Sequence, residues 1–429
     1  MAMNMAMAMG ATPRPTPKLM ARRKSRLPHR SPKEWAVRIA LALLALVLGY
    51  FAVTYSLAQV LRTKAPERAY RLAPYDGRIT AYLSAKMSGP DATAEDRARS
   101  DRLARLALRQ DPTAVAAVAT LGINAQLRGE TEAARRYFEY SDRLSRRDLR
   151  TRLWFIEDAV AREDIPEALR HYDIALRTSR AAPDLLYPVL VSAISDATIR
   201  NELVKTLAAK PAWTESFIGY AAGNGDTVSV ARLFQDLHGL NVVIPDPARA
   251  SVIGRLVAEE NYAAAWSYYA SVRSSSDRRS SRDTSFAANL ATPSPFDWAP
   301  LGGDAGISTV IQSGNQDGIF DFSAPATVGG PLLQQLQLLP TGDYVIEGRT
   351  IGLDQADNAR PYWVLICTNG RELGRVELPN SGVNGGVFRG RFTVNAGCPA
   401  QYLRLVARPS NAIGGLSGQI DEVQLRPAS

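Results

Sequence analysis

Cysteine and histidine are nearly absent, two and three in 429 residues, and that scarcity excludes much chemistry. No Cys/His cluster of metal-ligand spacing exists. The histidines, His29, His171 and His238, all lie outside the segment holding Cys367 and Cys398, so a Cys–His nucleophilic pair has no support in the chain order. His171 has no imidazole or carboxylate at i+4 and reads as a solvated or packed side chain. HExxH, GxSxG and a glycine-rich phosphate loop are also missing. A paired-carboxylate glycosidase leaves no trace in spacing and stays open as a minor alternative, but the expectation is a protein without catalysis.

Long apolar runs are missing too, with one exception. Ile39 to Leu61 reads IALALLALVLGYFAVTYSLAQVL. At roughly 1.5 Å per helical residue it spans about 34 Å, enough for the ~30 Å hydrocarbon layer. The leader before it carries nine basic residues, Arg14, Lys18, Arg22, Arg23, Lys24, Arg26, Arg30, Lys33 and Arg38, against Glu34 alone. The following flank offers four, Arg62, Lys64, Arg68 and Arg71. That bias places the amino terminus in the cytoplasm and the bulk beyond the membrane. The alternative is a cleaved secretory signal, because Ser56-Leu57-Ala58 has the small-x-small form of a peptidase site. Both readings export the remainder.

Charge excess is likewise confined. The pI near 9.6 suggests nucleic acid, yet residues 1–38 hold +8 of the formal +9. The exported part is balanced, and no nucleic-acid partner is expected. The leader, 1–38, opens with the low-complexity MAMNMAMAMGATPRPTP, is expected to be disordered, and contains Met20 as a second candidate start. Cys367 and Cys398 would close a loop of about thirty residues in an oxidising compartment, worth ~3–4 kcal/mol in the loop-entropy view; two unpaired buried thiols are the alternative.

The exported mass changes composition part-way. Residues 70–273 are rich in Ala, Leu and Arg at helical spacing, whereas 20 of the 31 glycines and no lysine fall after residue 286. Between them, SVRSSSDRRSSRDTS has little to bury and reads as a linker over 274–294.

The helical part repeats. A step of 34 residues carries Ala134, Phe138 and Ser141 onto Ala168, Tyr172 and Ala175, and Val230 and Phe234 onto Ala264 and Tyr268. Stepping back from Ser141 reaches Ala107, ahead of Asp111-Pro112. A small residue followed four positions later by an aromatic, at this period, resembles the tetratricopeptide repeat, with Leu121, Gly122 and Gly129 at further family positions. The resemblance implies paired antiparallel helices, about five pairs over 75–273, stacked as a binding platform for envelope proteins. Glu163 and Glu259 replace the turn glycine in later copies, and Leu185 to Pro211 fits loosely. Charged stretches such as RRYFEYSDRLSRRDLRTR read as wet outer faces.

The last part alternates with period two. QQLQLL, DYVIEGRT, PYWVLICT, GVFRGRFTV, QYLRLVAR and GQIDEVQL are bounded by Gly, Pro, Asn or Asp, giving about eight or nine strands of an antiparallel sandwich or jelly roll. LLQQLQLLPTGDYVIEGRTIGL, turning through Pro340 and Gly342, and the closing GQIDEVQLRP resemble the jelly-roll carbohydrate-binding modules, with SPFDWAPLGGDAGISTVIQSGNQDGIFDFS as the matching opening. This resemblance implies a jelly roll over 295–427 that contacts polysaccharide. Stacking on sugar would fall to Trp298, Tyr362, Trp363 and Tyr402, with Phe388 a further ring. Alternation puts Tyr362 and Trp363 on opposite faces, so at most one of them points outward. Asp421 would help hold a structural calcium, as in many relatives, although no full oxygen set is evident.

Together these features predict a single-pass protein of a Gram-negative inner membrane, with a helical solenoid and then a β-sandwich in the periplasm. The architecture resembles accessory proteins of exopolysaccharide assembly. A protein-only scaffold of a secretion or division complex is the alternative.

Overall fold

The computed structural model describes residues 31–428 except 90, 274, 275, 304, 305, 315, 316, 411 and 412. Most of the leader, and the first two linker residues, therefore lie outside the described residues. Among the described residues, a helical region of fourteen helices is followed by two antiparallel sheets. The chain divides into two compact units, 1–120 and 121–429.

In the first unit, α1 runs unbroken from Pro32 to Leu61, with Ser31 capping it through the Glu34 amide. Its apolar side chains from Trp35 to Leu57 stand largely uncovered, and the helix is long and apolar enough to cross a membrane or to serve as a signal sequence. At Ala58 this changes. That methyl is fully buried with Ala69 of α2 (Pro66–Leu72), Ala73 and Ile79 of α3 (Gly77–Met87). Gln59 Nε2 donates to Asp76 Oδ2 at 2.7 Å, while Asp76 Oδ1 accepts the Arg78 and Ile79 amides that begin α3. The candidate peptidase site is thus helical and ends on a buried side chain. α4 (Ala94–Gln110) starts with a Thr93/Asp96 capping box and passes so close to Gly77 that a Cβ there would meet the Ala107 carbonyl at 2.7 Å.

The unit boundary falls inside α5 (Val115–Leu127). From there the helices follow one another: α6 (Thr131–Leu144), α7 (Leu149–Ala161) packed on α8 (Ile165–Thr178), then α9 (Ala182–Ala193) and α10 (Ala197–Ala208). α11 (Thr214–Asn224) with α12 (Thr227–Gly239) and α13 (Asp246–Ala258) with α14 (Tyr262–Val272) complete the series. Side-chain caps recur at the starts of these helices: Asp148, Asp164, Asp196, Asp226 and Asn261 each accept a first-turn amide. Gly122 and Phe138 show why the small and aromatic positions matter. A Cβ on Gly122 would lie 2.9 Å from the Phe138 ring, which in turn stacks on Trp154 of α7 at 4.7 Å. Phe138 therefore fills both its own pair and the gap to the next.

The turns before α6, α8 and α14 carry a left-handed residue, whereas the turn before α12 passes through Gly225 at φ -84°. Gly129 supplies φ +78°, Glu163 φ +58° and Glu260 φ +56°. The last copy is offset by one from the 34-residue step: Glu260 rather than Glu259 takes the left-handed turn. Ala265, four residues after the Asn261 cap and fully buried, takes the position that Ala134 and Ala168 hold after theirs.

The sheets order as β1-β4-β9-β6-β7 and β2-β3-β10-β5-β8. Their strands are β1 Ala299–Pro300, β2 Ser308–Ser313, β3 Gly318–Ala324, β4 Gly330–Gln337 and β5 Gly342–Ile351. β6 Tyr362–Cys367, β7 Glu372–Glu377, β8 Val387–Val394, β9 Gln401–Ala407 and β10 Leu416–Pro427 follow. Alternate side chains of both sheets, Trp363, Leu365, Leu403 and Leu405 from one and Phe320, Phe322, Ile420 and Val423 from the other, share one core.

The stretch read as a linker is docked instead. Ser281 exchanges hydrogen bonds of 2.8 Å with Leu425, and Phe286 is fully buried beside Trp298 and Phe320. The β core therefore recruits residues ahead of 295.

Candidate functional site

The rings expected to meet sugar separate by strand phase. Trp298 and Trp363 lie inside the β core, 5.7 Å apart, and Phe388 is buried as well. These three are corrections to the sugar-stacking expectation: inward phase on a two-layered core hides their faces. Tyr362 takes the opposite face of β6, and its ring is covered on that face by Arg375 and Arg408, at 4.1 and 4.7 Å. Those cations are themselves paired, with Glu372 and Glu377. Tyr402 lies on the same outer face but packs, with Leu336, against the helical core, and Arg404 covers its ring at 4.7 Å. No open aromatic platform results from these residues.

Asp421 is displaced outward by a bulge between Ile420 and Glu422 and is clasped by Arg349, Nε to Oδ2 at 2.9 Å. Among the described residues there is no group of three His, Cys, Asp or Glu able to hold a metal. The calcium expectation does not fit this carboxylate, whose neighbour is a cation. Cys367 and Cys398 are joined in a disulfide, Cα to Cα 5.7 Å, tying the end of β6 to the loop before β9.

What the sequence reading missed is the junction of helices and sheets. Arg282 is buried there, its Nε and Nη2 donating to the Phe296 carbonyl at 3.1 and 3.0 Å. Nη1 donates to Gln337 Oε1 at 2.8 Å, and Nη2 also reaches the Leu336 carbonyl. Its plane lies 5.7 Å from both the Trp266 ring of α14 and the Phe296 ring. Gln335 clamps the Arg282 backbone, accepting its amide at 3.1 Å and donating to its carbonyl at 3.0 Å. Burial lowers the Arg282 guanidinium to about 10, which leaves it charged. Beside it Tyr269 donates to Asp297 at 2.9 Å. One polar cluster thus joins the last helical pair to the β unit. A signal existed: Gln335 and Gln337 fall on the inward phase of β4, where apolar residues belong.

A second buried cation sits in the helical region. Arg152, within a stretch read as a wet face, is withdrawn between α7 and α8, pairs with Asp142, and donates through Nη1 to His171 Nδ1 at 3.1 Å. Because arginine only donates, Nδ1 is the acceptor and Nε2–H points to Glu167 Oε1 at 3.0 Å. Glu167 precedes His171 by four residues, a partner on the side the i+4 search did not cover. His171 stacks on Phe155 at 4.7 Å, and burial, then Arg170, push its pKa down. Glu167, bonded first by Arg170, is held down to about 2.

A cleft of about 530 Å3 opens at the junction, between the α13–α14 turn (Glu260, Asn261, Tyr262) and the β unit (Arg278, Thr341, Asn395), with Cys398 in its wall.

No protein-family model matches the chain, and no curated protein matches it. Solved structures match short stretches. The enzymatically active domain of bacteriophage CBA120 tailspike protein 4 is 12% identical over 30% of this chain and 19% of that one, TM-score 0.22. The Glycosylation Associate Protein (Gap123) complex from Streptococcus agalactiae is 10% identical over 28% and 39%, TM-score 0.20. The carbohydrate-binding module CBM6cm-2 of Cellvibrio mixtus lichenase 5A, in complex with cellotriose, is 12% identical over 31% and 98%, TM-score 0.21. This chain spans less than two-fifths of the first two.

Proposed function

We propose that this protein is a non-catalytic scaffold anchored in a bacterial inner membrane by α1, amino terminus cytoplasmic, whose exported part binds other envelope components. The paired helices act as a tetratricopeptide-like solenoid that recruits proteins. The β unit is a jelly roll that contacts envelope or exported polysaccharide, as an accessory of exopolysaccharide assembly. The observation carrying this reading is the junction: Arg282, Gln335 and Gln337 fuse the last helical pair to the sheets, so that a partner held by one is fixed relative to a partner held by the other. Support for a retained anchor comes from Ala58, because a peptidase would have to unwind a helix in which the Ala58 methyl is buried against α2 and α3.

A second reading, a protein-only scaffold of a secretion or division complex, is favoured by the burial of Trp298 and Trp363, which removes the expected sugar platform. Two measurements test the proposal. Alkaline phosphatase fused after residue 75 should be active, and an inactive fusion reverses the topology. The detergent-solubilised full chain should give heat on titration with the host's own exported polysaccharide; none leaves the protein-only scaffold.

A further inference from the structure

The junction cleft has the makings of a recognition site that none of the expected sugar-stacking residues serves. Its volume, about 530 Å3, lies within the ~300–1,000 Å3 of ligand pockets. It is lined by side chains whose hydrogen-bonding capacity the fold leaves unused. Asn261 gives its oxygen to the Ala264 amide that starts α14, which leaves its amide nitrogen as a donor. Arg278 gives Nε to the Leu338 carbonyl at 3.0 Å, and its two terminal nitrogens have no partner among the described residues. Glu260, Thr341 and Asn395 likewise make no side-chain hydrogen bond or ion pair among the described residues. Tyr262 offers a half-buried ring, and Pro340 and Pro399 add apolar surface.

The mixture selects a ligand class. Dense hydroxyls need both donors and acceptors at close intervals, and amide, hydroxyl, carboxylate and guanidinium groups all line this cleft. Apolar C–H faces need a ring, and Tyr262 supplies one. A phosphate-rich ligand would meet the Glu260 carboxylate with a single arginine in the lining to offset it, an unfavourable balance. We propose that this cleft binds a short oligosaccharide, its sugar face on Tyr262 and its hydroxyls on Asn261, Thr341 and Asn395. The idea rests on the polysaccharide-contact reading above and moves the contact from the sheet faces to the junction.

Two features make the cleft a fixed shape. Its β wall is tied by the Cys367–Cys398 disulfide, and its two sides are held together by the Arg282 cluster. A site spanning helices and sheets exists only while both are docked, so sugar binding would report on the junction.

The test is calorimetric titration of the detergent-solubilised full chain with defined hexasaccharides of cellulose, laminarin, alginate and hyaluronan. At least one should bind, and Tyr262→Ala and Asn395→Ala should each weaken it by about tenfold. Tyr262 also packs on the helical core, so Asn395→Ala, on an exposed loop, is the variant expected to melt like wild type. Arg349→Ala, on an ion pair elsewhere, should bind normally. If a hexasaccharide binds and both cleft variants bind it as tightly as wild type, the site is overturned while polysaccharide contact stands. If none binds the wild-type chain, the site is overturned, and polysaccharide contact falls with it only where the host's own polysaccharide also gives no heat.

Discussion

Two arginines are withdrawn from water in the second unit, and they are kept charged by different means. Arg282 donates to neutral dipoles, the carbonyls of Ser280, Phe296 and Leu336 and the Gln337 amide, with two aromatic faces nearby and the Asp297 and Asp277 carboxylates acting on it without direct contact. No salt bridge to it occurs among the described residues. Arg152 instead shares its surroundings with groups that titrate: Asp142, His171 and, through His171, Glu167. Burial of a cation therefore does not by itself make a site sensitive to acid. A guanidinium bonded to backbone and amide dipoles is a lock that contacts no imidazole, whereas one resting on an imidazole is tied to that imidazole's protonation near neutral pH.

Removing the first lock should have the largest effect. Arg282→Ala strands several buried acceptors, each worth ~1–3 kcal/mol, so unfolding should lose about 3 kcal/mol or more. Denaturant unfolding, followed by fluorescence and far-UV circular dichroism, should then split into separate helical and β transitions. If the two probes still coincide, the junction does not couple the regions.

A change that spares both arginines calibrates the helical side. Gly122→Val should cost about 1–3 kcal/mol by overpacking, because its Cβ would sit 2.9 Å from the Phe138 ring. Thermal melting that matches wild type would contradict the close packing.

The Arg152 region should answer to acid. His171 has a lowered pKa when folded, so below the unfolded value of ~6.5 the unfolded chain binds more protons and stability falls with pH until the buried imidazole itself protonates. Glu167 has the same sign, its contribution present above about 4.5 and lost as pH falls toward about 2. Melting temperatures measured between pH 7.5 and 5 should drop in wild type and flatten in His171→Gln. Parallel profiles would sink the assignment. Arg282→Lys should leave the slope of that profile unchanged.

The smallest effect belongs to the surface. Asp421→Asn breaks an ion pair whose arginine is half exposed and should cost under ~1 kcal/mol. Neither wild type nor the variant should gain stability on adding calcium, and a calcium-dependent rise in melting temperature would restore the metal reading.

Much of the helical region was legible because its signals are local. Ala134, Phe138, Ala168 and Tyr172 carry burial at a fixed step. The step failed at Glu259 because the last pair turns one residue later, a shift that spacing alone does not reveal. In the β part, period two separated Tyr362 from Trp363, but which ring faced solvent was not legible: the outer face of that sheet is partly covered by helices more than sixty residues earlier in the chain. The stretch around Arg282 looked like a linker for a similar reason. Ser, Arg and Asp have little to bury alone, and only the inward glutamines of β4 explain why an arginine is drawn in.

The union of the second unit's helices and sheets into one body through Arg282 can be checked by limited trypsin digestion of the detergent-solubilised chain. It predicts rapid cleavage in the arginine-rich leader and survival of the 121–428 region as one fragment, with no cut after Arg282. Early scission after Arg282, releasing separate helical and β fragments, would contradict it.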